Sequence, residues 1–315
     1  MTGGSNTRVV IAGGTGMIGR ALVASLLDDG REVSVLTRGS GRPRRRVADG
    51  VPLVTWNPDD AGSAVEALRG AAAVVNLCGV PIGPLPWTPA RRRAIVESRV
   101  GSTGALVKAI GLLPPAERPR VLVNASGTDA YTGIDAEPAT ETARTGHGFL
   151  ADLGTDWEGA AREAEPLGVR VVMIRTGFVL ARESALLRLL ALPSRLGIGG
   201  PIGSGDQWFS WIHIDDLVAA YRTAIADDRL SGPVNATSPE PCRQRDVAAT
   251  LGRVLHRPSF FRTPAWLVRL AMRDQSTLIL GSRRVVPARL LEIGVPFAFA
   301  NLDAALRDVL GRRRT

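Results

Sequence analysis

The stretch that decides the fold of this chain is residues 9–19, Val-Val-Ile-Ala-Gly-Gly-Thr-Gly-Met-Ile-Gly. Its first four residues are apolar and predict a buried strand, the glycines that follow predict a tight turn, and Met17 begins a helical pattern. Gly13 permits the turn, Gly16 lets the backbone approach a pyrophosphate, and Gly19 lets the helix pack closely. This arrangement predicts a dinucleotide-binding fold, in which the helix N-terminus offers N–H groups to phosphates.

Strand and helix patterns alternate outward from this turn through the first half of the chain. We predict strands at 8–12, 32–36, 52–56, 72–77, 120–125 and 169–174, and helices at 17–29, 61–68, 89–112 and 150–167. Right-handed crossovers convert this order into a doubly wound parallel sheet covered by helices on both faces. The predicted fold class is therefore α/β, with a Rossmann sheet and a smaller C-terminal α+β substrate domain.

The pattern loosens after about residue 176. A helix is predicted at 186–196, a short strand at 211–214, a helix at 215–226 and an amphipathic helix at 302–310. We place the nucleotide-binding Rossmann domain at 1–180, with 209–226 returning to it. The smaller domain is placed at 181–315.

Composition limits the classes of partner and compartment. The 315 residues carry a net charge of +9, with 38 arginines and one lysine, but the arginines are scattered rather than gathered among aromatics, so no nucleic-acid partner is expected. Two cysteines indicate a reducing compartment, and we expect the cytoplasm. No apolar run precedes the first strand and no long apolar window occurs, so neither a secretory signal nor a membrane partner is expected. A monomer or a homodimer is expected.

The residue after the second predicted strand bears on the choice of cofactor. Folds that prefer NAD usually place an acid there to hold the ribose hydroxyl, whereas Arg38 suits the 2′-phosphate of NADP. NADP(H) is therefore the favoured cofactor, with NAD(H) as the alternative. Cys78, after the fourth strand, is interpreted as a small buried residue. The predicted cofactor contacts are Gly13, Thr15, Gly16, Met17, Ile18, Gly19, Arg38, Leu77, Cys78 and Gly79.

Several segments of this chain resemble one family over nearly its full length. They lie at 12–19, 74–79, 123–126, 156–158, 175–180, 205–217, 232–237 and 290–294. They are similar to the atypical short-chain dehydrogenase/reductases known as epimerase family proteins, which are NAD-dependent epimerase/dehydratase-like and end in a domain of unknown function. The resemblance implies a Rossmann domain, a smaller substrate domain whose last part is 258–315, and a substrate that is generally unassigned.

The chain departs from the better-known members by lacking the Tyr-x-x-x-Lys proton-transfer pair. Its one lysine is Lys108, and the residue four positions earlier is Gly104. The resemblance places Phe149 and Leu153 where those enzymes carry the pair. A phenylalanine cannot donate a proton and a leucine cannot lower the pKa of a phenol, so any chemistry must use other groups.

Three residues are candidates for that chemistry. Ser126 follows the fifth predicted strand at the carboxyl edge of the sheet, where it either hydrogen-bonds a substrate oxygen or serves as a turn serine. Tyr131 in the same loop is the best remaining phenol, or an aromatic that packs over the pocket. His213 could act as an acid or base, although the resemblance favours a structural hydrogen bond.

Other residues near these candidates have predicted roles. Asp215 and Asp216 are expected to cap the helix that follows them. Three histidines and two distant cysteines provide no metal-ligand spacing, so no metal site is predicted. The residues predicted to line the substrate pocket are Gln207, Trp208 and Trp211.

Two functions from different classes remain open. The first is an NADP-dependent reductase or epimerase-like enzyme that acts on a small polar carbonyl or sugar-derived substrate. The second is a non-catalytic NADP-binding regulatory or scaffold protein, which the missing Tyr-Lys pair favours. Fold alone does not separate the two, and the intact glycine turn together with Arg38 and Ser126 inclines us to the enzyme.

Overall fold

A parallel sheet of seven strands forms the centre of the chain, in a computed structural model that describes residues 7–39, 47–83, 86–131 and 137–311. The strands, including four outside this sheet, are β1 (Val9–Ala12), β2 (Val33–Thr37), β3 (Leu53–Thr55), β4 (Ala73–Asn76), β5 (Val121–Gly127), β6 (Arg170–Thr176), β7 (Phe178–Leu180), β8 (Trp208–Phe209), β9 (Trp211–His213), β10 (Gly232–Ala236) and β11 (Cys242–Arg243). The order in the main sheet is β10-β6-β5-β4-β1-β2-β3. The order reverses between β1 and β4, which is where doubly wound sheets open a ligand crevice at their carboxyl edge.

The helices connect and cover these strands. They are α1 (Met17–Asp28), α2 (Val65–Leu68), α3 (Pro89–Val96), α4 (Ser102–Gly111), α5 (Phe149–Arg162), α6 (Ala185–Arg195), α7 (Ile214–Ala226), α8 (Gln244–Leu255), α9 (Ala265–Met272), α10 (Thr277–Leu280), α11 (Ala288–Glu292) and α12 (Leu302–Leu310). A π-helical turn, Glu97–Gly101, joins α3 to α4, so the single helix predicted at 89–112 is interrupted. Over the described ranges, no helix combines the length and apolar character needed to span a bilayer.

Alternate residues of the central strands supply two hydrophobic layers. Val9 and Ile11 of β1 pack into one layer with α1 and α7, whereas Val10 and Ala12 pack into the other with α2, α4 and α5. All four side chains are fully buried. This two-residue period within an apolar strand is what a parallel sheet covered on both faces requires.

The seventh strand comes from a segment that the sequence analysis assigned to the smaller domain. β10 pairs in parallel with β6, from Gly232 opposite Val172 to Ala236 opposite Thr176. Pro233 is tolerated because β10 is an edge strand, where a missing N–H costs little. The segment is short and begins with Gly-Pro, so its sequence carried little strand signal. The preceding helix α7 packs against α1 and also belongs to the Rossmann part.

The smaller lobe surrounds a separate hydrophobic cluster. It contains Leu180 and Trp211 from the parallel pair β7–β9, Leu187 from α6, Leu251 from α8 and Leu306 from α12. The antiparallel pair β8–β11 adjoins it. The smaller lobe therefore combines helices with short strands. The chain enters it at β7, directly after the carboxyl end of β6.

Candidate functional site

The glycine turn lies tightly against the end of β4. Gly13 has φ +81°, and a Cβ there would lie 2.8 Å from the carbonyl carbon and oxygen of Leu77. A Cβ on Gly19 would lie 2.6 Å from the carbonyl oxygen of Gly13. Only glycine fits these two contacts, so the turn and the segment 77–79 are held together at the switch point.

The first turn of α1 is open to an anion. Gly16 is the N-cap, and neither a capping side chain nor an acidic residue satisfies the N–H groups of this turn. Thr15 precedes the cap, and Met17 and Ile18 are the first helical residues. Unpaired N–H groups and the helix dipole favour a negative charge here, which is the arrangement expected of a pyrophosphate cradle.

Arg38 supplies a positive charge on the same edge of the sheet. It follows β2, is exposed, and makes no hydrogen bond or ion pair with any other described residue. Burial raises the pKa of the Cys78 thiol to about 11, and the positive charge of Arg38 acts to lower that pKa. The Cys78 thiol is therefore neutral at physiological pH, and Arg38 is an exposed cation that pairs with no other residue in the described ranges.

Ser126 belongs to a buried ion-pair network. It lies within β5, not beyond the strand as predicted, because β5 continues to Gly127. Its Oγ donates to Glu158 Oε1 over 2.8 Å. Arg175 donates to both oxygens of Glu158, from Nε over 2.7 Å and from Nη2 over 2.8 Å. Burial alone would lower the pKa of Arg175, but its hydrogen bonds with Glu158 and the charge of that carboxylate outweigh burial and raise it.

Tyr131 lies at the other end of this network and is fully buried. Its hydroxyl accepts a hydrogen bond from Arg175 Nη1 over 2.5 Å and donates one to Asn235 Oδ1 over 2.9 Å. Burial raises the pKa of the phenol, and the charge of Arg175 only partly opposes the shift. The hydroxyl of Tyr131, which was predicted either as the best remaining phenol or as part of an aromatic that packs over the pocket, thus connects β6 to β10 within the protein.

The network has a consequence for proton transfer. A serine hydroxyl has one proton, and that of Ser126 points at the Glu158 carboxylate. In this arrangement Ser126 Oγ can accept a hydrogen bond from a ligand, and it must turn away from Glu158 before it can donate one.

A second buried polar cluster lies beneath the same edge. Asn76 and Asn124 are register partners on β4 and β5, and Asn76 Nδ2 donates to Asn124 Oδ1 over 2.7 Å and to Thr103 Oγ1 over 2.8 Å. Trp157 Nε1 donates to the same Thr103 hydroxyl over 3.0 Å. The sequence reasoning missed this cluster, although an asparagine near the end of two adjacent apolar strands was a signal of it.

Arg99 places a further cation at this edge. It lies in the π-helical turn, is buried, and donates from Nη1 to the carbonyl oxygen of Val80 over 3.1 Å. Burial lowers the pKa of its guanidinium to about 10, and the charge of Asp129 opposes the shift. A Cβ on Gly79 would lie 3.0 Å from the guanidinium carbon, so Gly79, predicted as a cofactor contact, also makes room for Arg99. π-Helical turns of this kind occur frequently at functional sites.

His213, for which a structural hydrogen bond was the preferred interpretation, makes such a contact at the start of α7. Its Nδ1 accepts the Asp215 N–H over 3.2 Å and caps α7, and its ring stacks on Phe299 at 3.8 Å between centroids. Nε2 lies 3.3 Å from an Asp308 carboxylate oxygen without hydrogen-bond geometry. The capping role predicted for Asp216 is wrong, because its carboxylate accepts the N–H groups of residues 298 and 299.

The side chains of the three predicted pocket residues contact other residues of the protein. Gln207 donates to the carbonyl oxygen of Ile202 over 3.1 Å. The Trp208 ring has two guanidinium carbons at 3.7 and 4.6 Å from its centroid, and Trp211 is fully buried in the core of the smaller lobe. An apolar cavity of about 40 Å³ does occur in this lobe, but its lining comes from other residues, among them Phe178, Leu190, Phe209, Val247 and Leu278.

Comparison with known proteins identifies relatives for the whole chain. The sequence profile of the NAD-dependent epimerase/dehydratase family matches residues 9–152, and that of a domain of unknown function, DUF1731, matches 263–309. The chain is 34% identical over 308 residues to the chloroplastic epimerase family protein SDR39U1 homolog of Arabidopsis thaliana, covering 97% of this chain and 87% of that protein. It is also 34% identical over 304 residues to epimerase family protein SAR0825 of Staphylococcus aureus (strain MRSA252), covering 96% and 99%.

A solved structure extends this similarity to three dimensions. The crystal structure of human epimerase family protein SDR39U1 (isoform 2) with NADPH superimposes with a TM-score of 0.84 at 31% identity. The match covers 96% of this chain and 98% of the human chain.

Proposed function

This chain belongs to the epimerase family of short-chain dehydrogenase/reductase-like proteins, and we propose that it binds NADP(H) and transfers hydride between that cofactor and a small polar carbonyl or sugar-derived substrate. The observation that carries the proposal is the shared position of two groups at one edge of the sheet: Arg38, which follows β2 and pairs with no other described residue, and the uncapped N-terminus of α1, which follows the neighbouring strand β1.

The donor set fits the two anionic parts of NADP(H). The N–H groups at the start of α1 would hold the pyrophosphate, with Gly13 and Gly16 keeping side chains out of the way. Arg38, one strand away, would pair with the 2′-phosphate, for which a guanidinium is geometrically suited. The human relative's structure contains NADPH, which supports the same choice for this chain.

When bound, the nicotinamide supplies or accepts the hydride, and the chain's own groups must handle the substrate oxygen. Ser126 is the hydroxyl we assign to contact with that oxygen, held in place by Glu158. Because its proton points at a carboxylate, Ser126 Oγ is placed to accept a hydrogen bond from the hydroxyl of a substrate alcohol. Tyr131 then acts at a distance, by orienting the Arg175 guanidinium that holds Glu158.

A second candidate function is NADP(H) binding without turnover. It is favoured by the engagement of both Ser126 and Tyr131 in protein hydrogen bonds. Apolar groups also occupy the start of α5, where Phe149 packs edge-on against Trp87 at 5.2 Å between centroids and Leu153 is buried.

A fluorescence titration with NADPH and NADH tests cofactor binding. We expect the wild type to bind NADPH at least tenfold more tightly, about 1.4 kcal/mol, and Arg38→Ala to remove most of this preference. Arg93→Ala is the matched control, because Arg93 is exposed on α3 and its side chain makes no hydrogen bond with the described residues. Failure to bind either nucleotide would refute the proposal.

Hydride transfer is tested separately, with NADPH deuterated at the nicotinamide C4 and a panel of small carbonyl compounds. Transfer that Ser126→Ala abolishes, with an unchanged dissociation constant for NADPH, supports the enzyme. Tight NADPH binding by a wild-type protein that transfers no deuterium to any compound would instead support the second candidate.

A further inference from the structure

Helix α9 is apolar on almost every side yet is barely covered by the rest of the protein. Of its eight residues only Val268 is buried, whereas Trp266 is 64% exposed, Leu267 43% and Leu270 70%. A helix that is hydrophobic all round is normally buried. Its surface therefore indicates contact with something outside the described chain.

The exposed apolar surface extends beyond the helix. Phe260 is 72% exposed, and Phe261 lies beside it with ring centroids 4.4 Å apart. Phe261 N–H donates to the carbonyl oxygen of Gly199 over 3.0 Å, which places exposed Leu196 and Ile198 next to the same surface. Exposed apolar side chains therefore occur at the end of α6, at Phe260 and Phe261, and on α9, which begins four residues after Phe261.

The charge along the segment that carries this patch is positive, and the aspartates that flank it are engaged by other residues: Asp246 accepts the Arg243 N–H, and Asp274 pairs with Arg92. Residues 247–273 contain five arginines and no aspartate or glutamate. The four arginines nearest the patch are exposed and form no ion pair with any residue in the described ranges; they are Arg257, Arg262, Arg269 and Arg273. A partner that covers the patch must therefore accept both apolar side chains and several unneutralised guanidinium groups.

A second copy of this chain meets that requirement poorly. A two-fold symmetric contact places the same surface on both sides, so it would bring these arginines towards one another. Like charges facing each other oppose association. An anionic bilayer meets both needs, because tryptophan, phenylalanine and leucine enter the boundary between headgroups and acyl chains while arginines pair with lipid phosphates.

In place of the expectation from the sequence that there is no membrane partner, we propose that residues 257–273 form a membrane-contact surface that holds this protein on anionic phospholipid bilayers. The contact is peripheral: α9, with eight residues, lies in the plane of the interface rather than across it. The proposal does not depend on the reaction assigned above, because the surface is defined by its own exposure and charge.

Flotation with lipid vesicles tests the membrane-contact surface. Full-length protein is mixed with vesicles of phosphatidylcholine alone or of phosphatidylcholine with phosphatidylglycerol, at low and at high salt. We expect the bound fraction to rise with phosphatidylglycerol and to fall with salt. Trp266→Gln with Leu270→Gln, and separately Arg262→Gln with Arg269→Gln, should each weaken binding at least about tenfold.

Matched controls distinguish this surface from general stickiness. Leu112→Gln removes an equally exposed leucine, 63% exposed, at the C-terminal end of α4, and Arg93→Gln removes an exposed arginine elsewhere. Both should bind vesicles like the wild type, and thermal melts should show every variant folded. Equal binding of all variants, or no binding to phosphatidylglycerol vesicles, would overturn the proposal. So would a dimer in sedimentation velocity that Trp266→Gln dissociates, since the surface would then belong to self-association.

Discussion

Replacing Glu158 by glutamine removes the charge on which the buried network of the Rossmann part depends. Glu158 is 2% exposed and accepts hydrogen bonds from Ser126 and from two nitrogens of Arg175. In Glu158→Gln the Arg175 guanidinium stays buried without a counter-charge, and one of its two hydrogen bonds to this side chain is lost because an amide nitrogen cannot accept. We expect a large loss of stability from this isosteric change.

The magnitude follows from the burial of both partners, whose side chains are 5% and 3% exposed. Removing one partner of a buried pair costs about 3–5 kcal/mol. With about 2.1 cal/mol/K of unfolding entropy per residue, the 315 residues give about 0.7 kcal/mol/K, so the melting temperature should fall by about 5–8 °C.

Differential scanning calorimetry at neutral pH measures this change directly. Glu163→Gln is the control, because Glu163 follows α5, is exposed, and makes no hydrogen bond or ion pair with any described side chain. Its melting temperature should stay within about 1 °C of wild type. If Glu158→Gln melts together with this control, the ion pair is not the stabilising contact described, and our account of Ser126 positioning fails with it.

Three other experiments separate the roles of individual residues. Gly13→Ala should weaken NADPH binding at least about tenfold and should destabilise the fold more than Gly30→Ala does. A Cβ at Gly13 would lie 2.8 Å from backbone atoms, whereas a Cβ at Gly30, which is also at positive φ, would have no atom within 4 Å. Equal melting temperatures and affinities of the two variants would contradict this. Tyr131→Phe should cost about 1–3 kcal/mol by leaving Arg175 short of an acceptor, while any deuterium transfer survives; lost transfer at unchanged stability would make Tyr131 the proton donor. Burial raises the pKa of the Cys78 thiol to about 11, so the thiol is neutral at lower pH. Its alkylation by iodoacetamide, followed by mass spectrometry, should therefore be slow at about pH 8 and become faster as the pH rises. Rapid alkylation at about pH 8 would show that the thiol is not shielded.

The local parts of the fold could be predicted from the sequence. The run 9–19 encodes strand, turn and helix within one segment, and the helix predicted to begin at Met17 does begin there. The edge strand β10 could not be predicted in the same way, since its place depends on a partner about 60 residues earlier in the chain. Register with β6 also lengthens β5 to Gly127, which moves Ser126 from a loop into the strand.

The sequence predicted only those parts of the candidate site that lie within a single continuous segment. Glycines at fixed spacing and Arg38 after a strand are signals within single segments. The partnership of Glu158 with Arg175 is different, because the two residues lie 17 positions apart on a helix and a strand that meet only in the folded protein. Asn76 and Asn124 end adjacent strands, and their contact likewise could not be predicted without the parallel register of β4 and β5.

The path of the chain through β10 limits how this protein can be divided or recombined. After β6 the chain leaves the main sheet, contributes β7, α6 and β9 to the smaller lobe, and returns before leaving again. Cutting it near residue 180 would therefore separate Asn235 from Tyr131 and strip the sheet of its edge. The smaller lobe is not a terminal module that can be exchanged at one junction. Any exchange of the smaller lobe between proteins with this architecture would have to preserve both crossings of the chain.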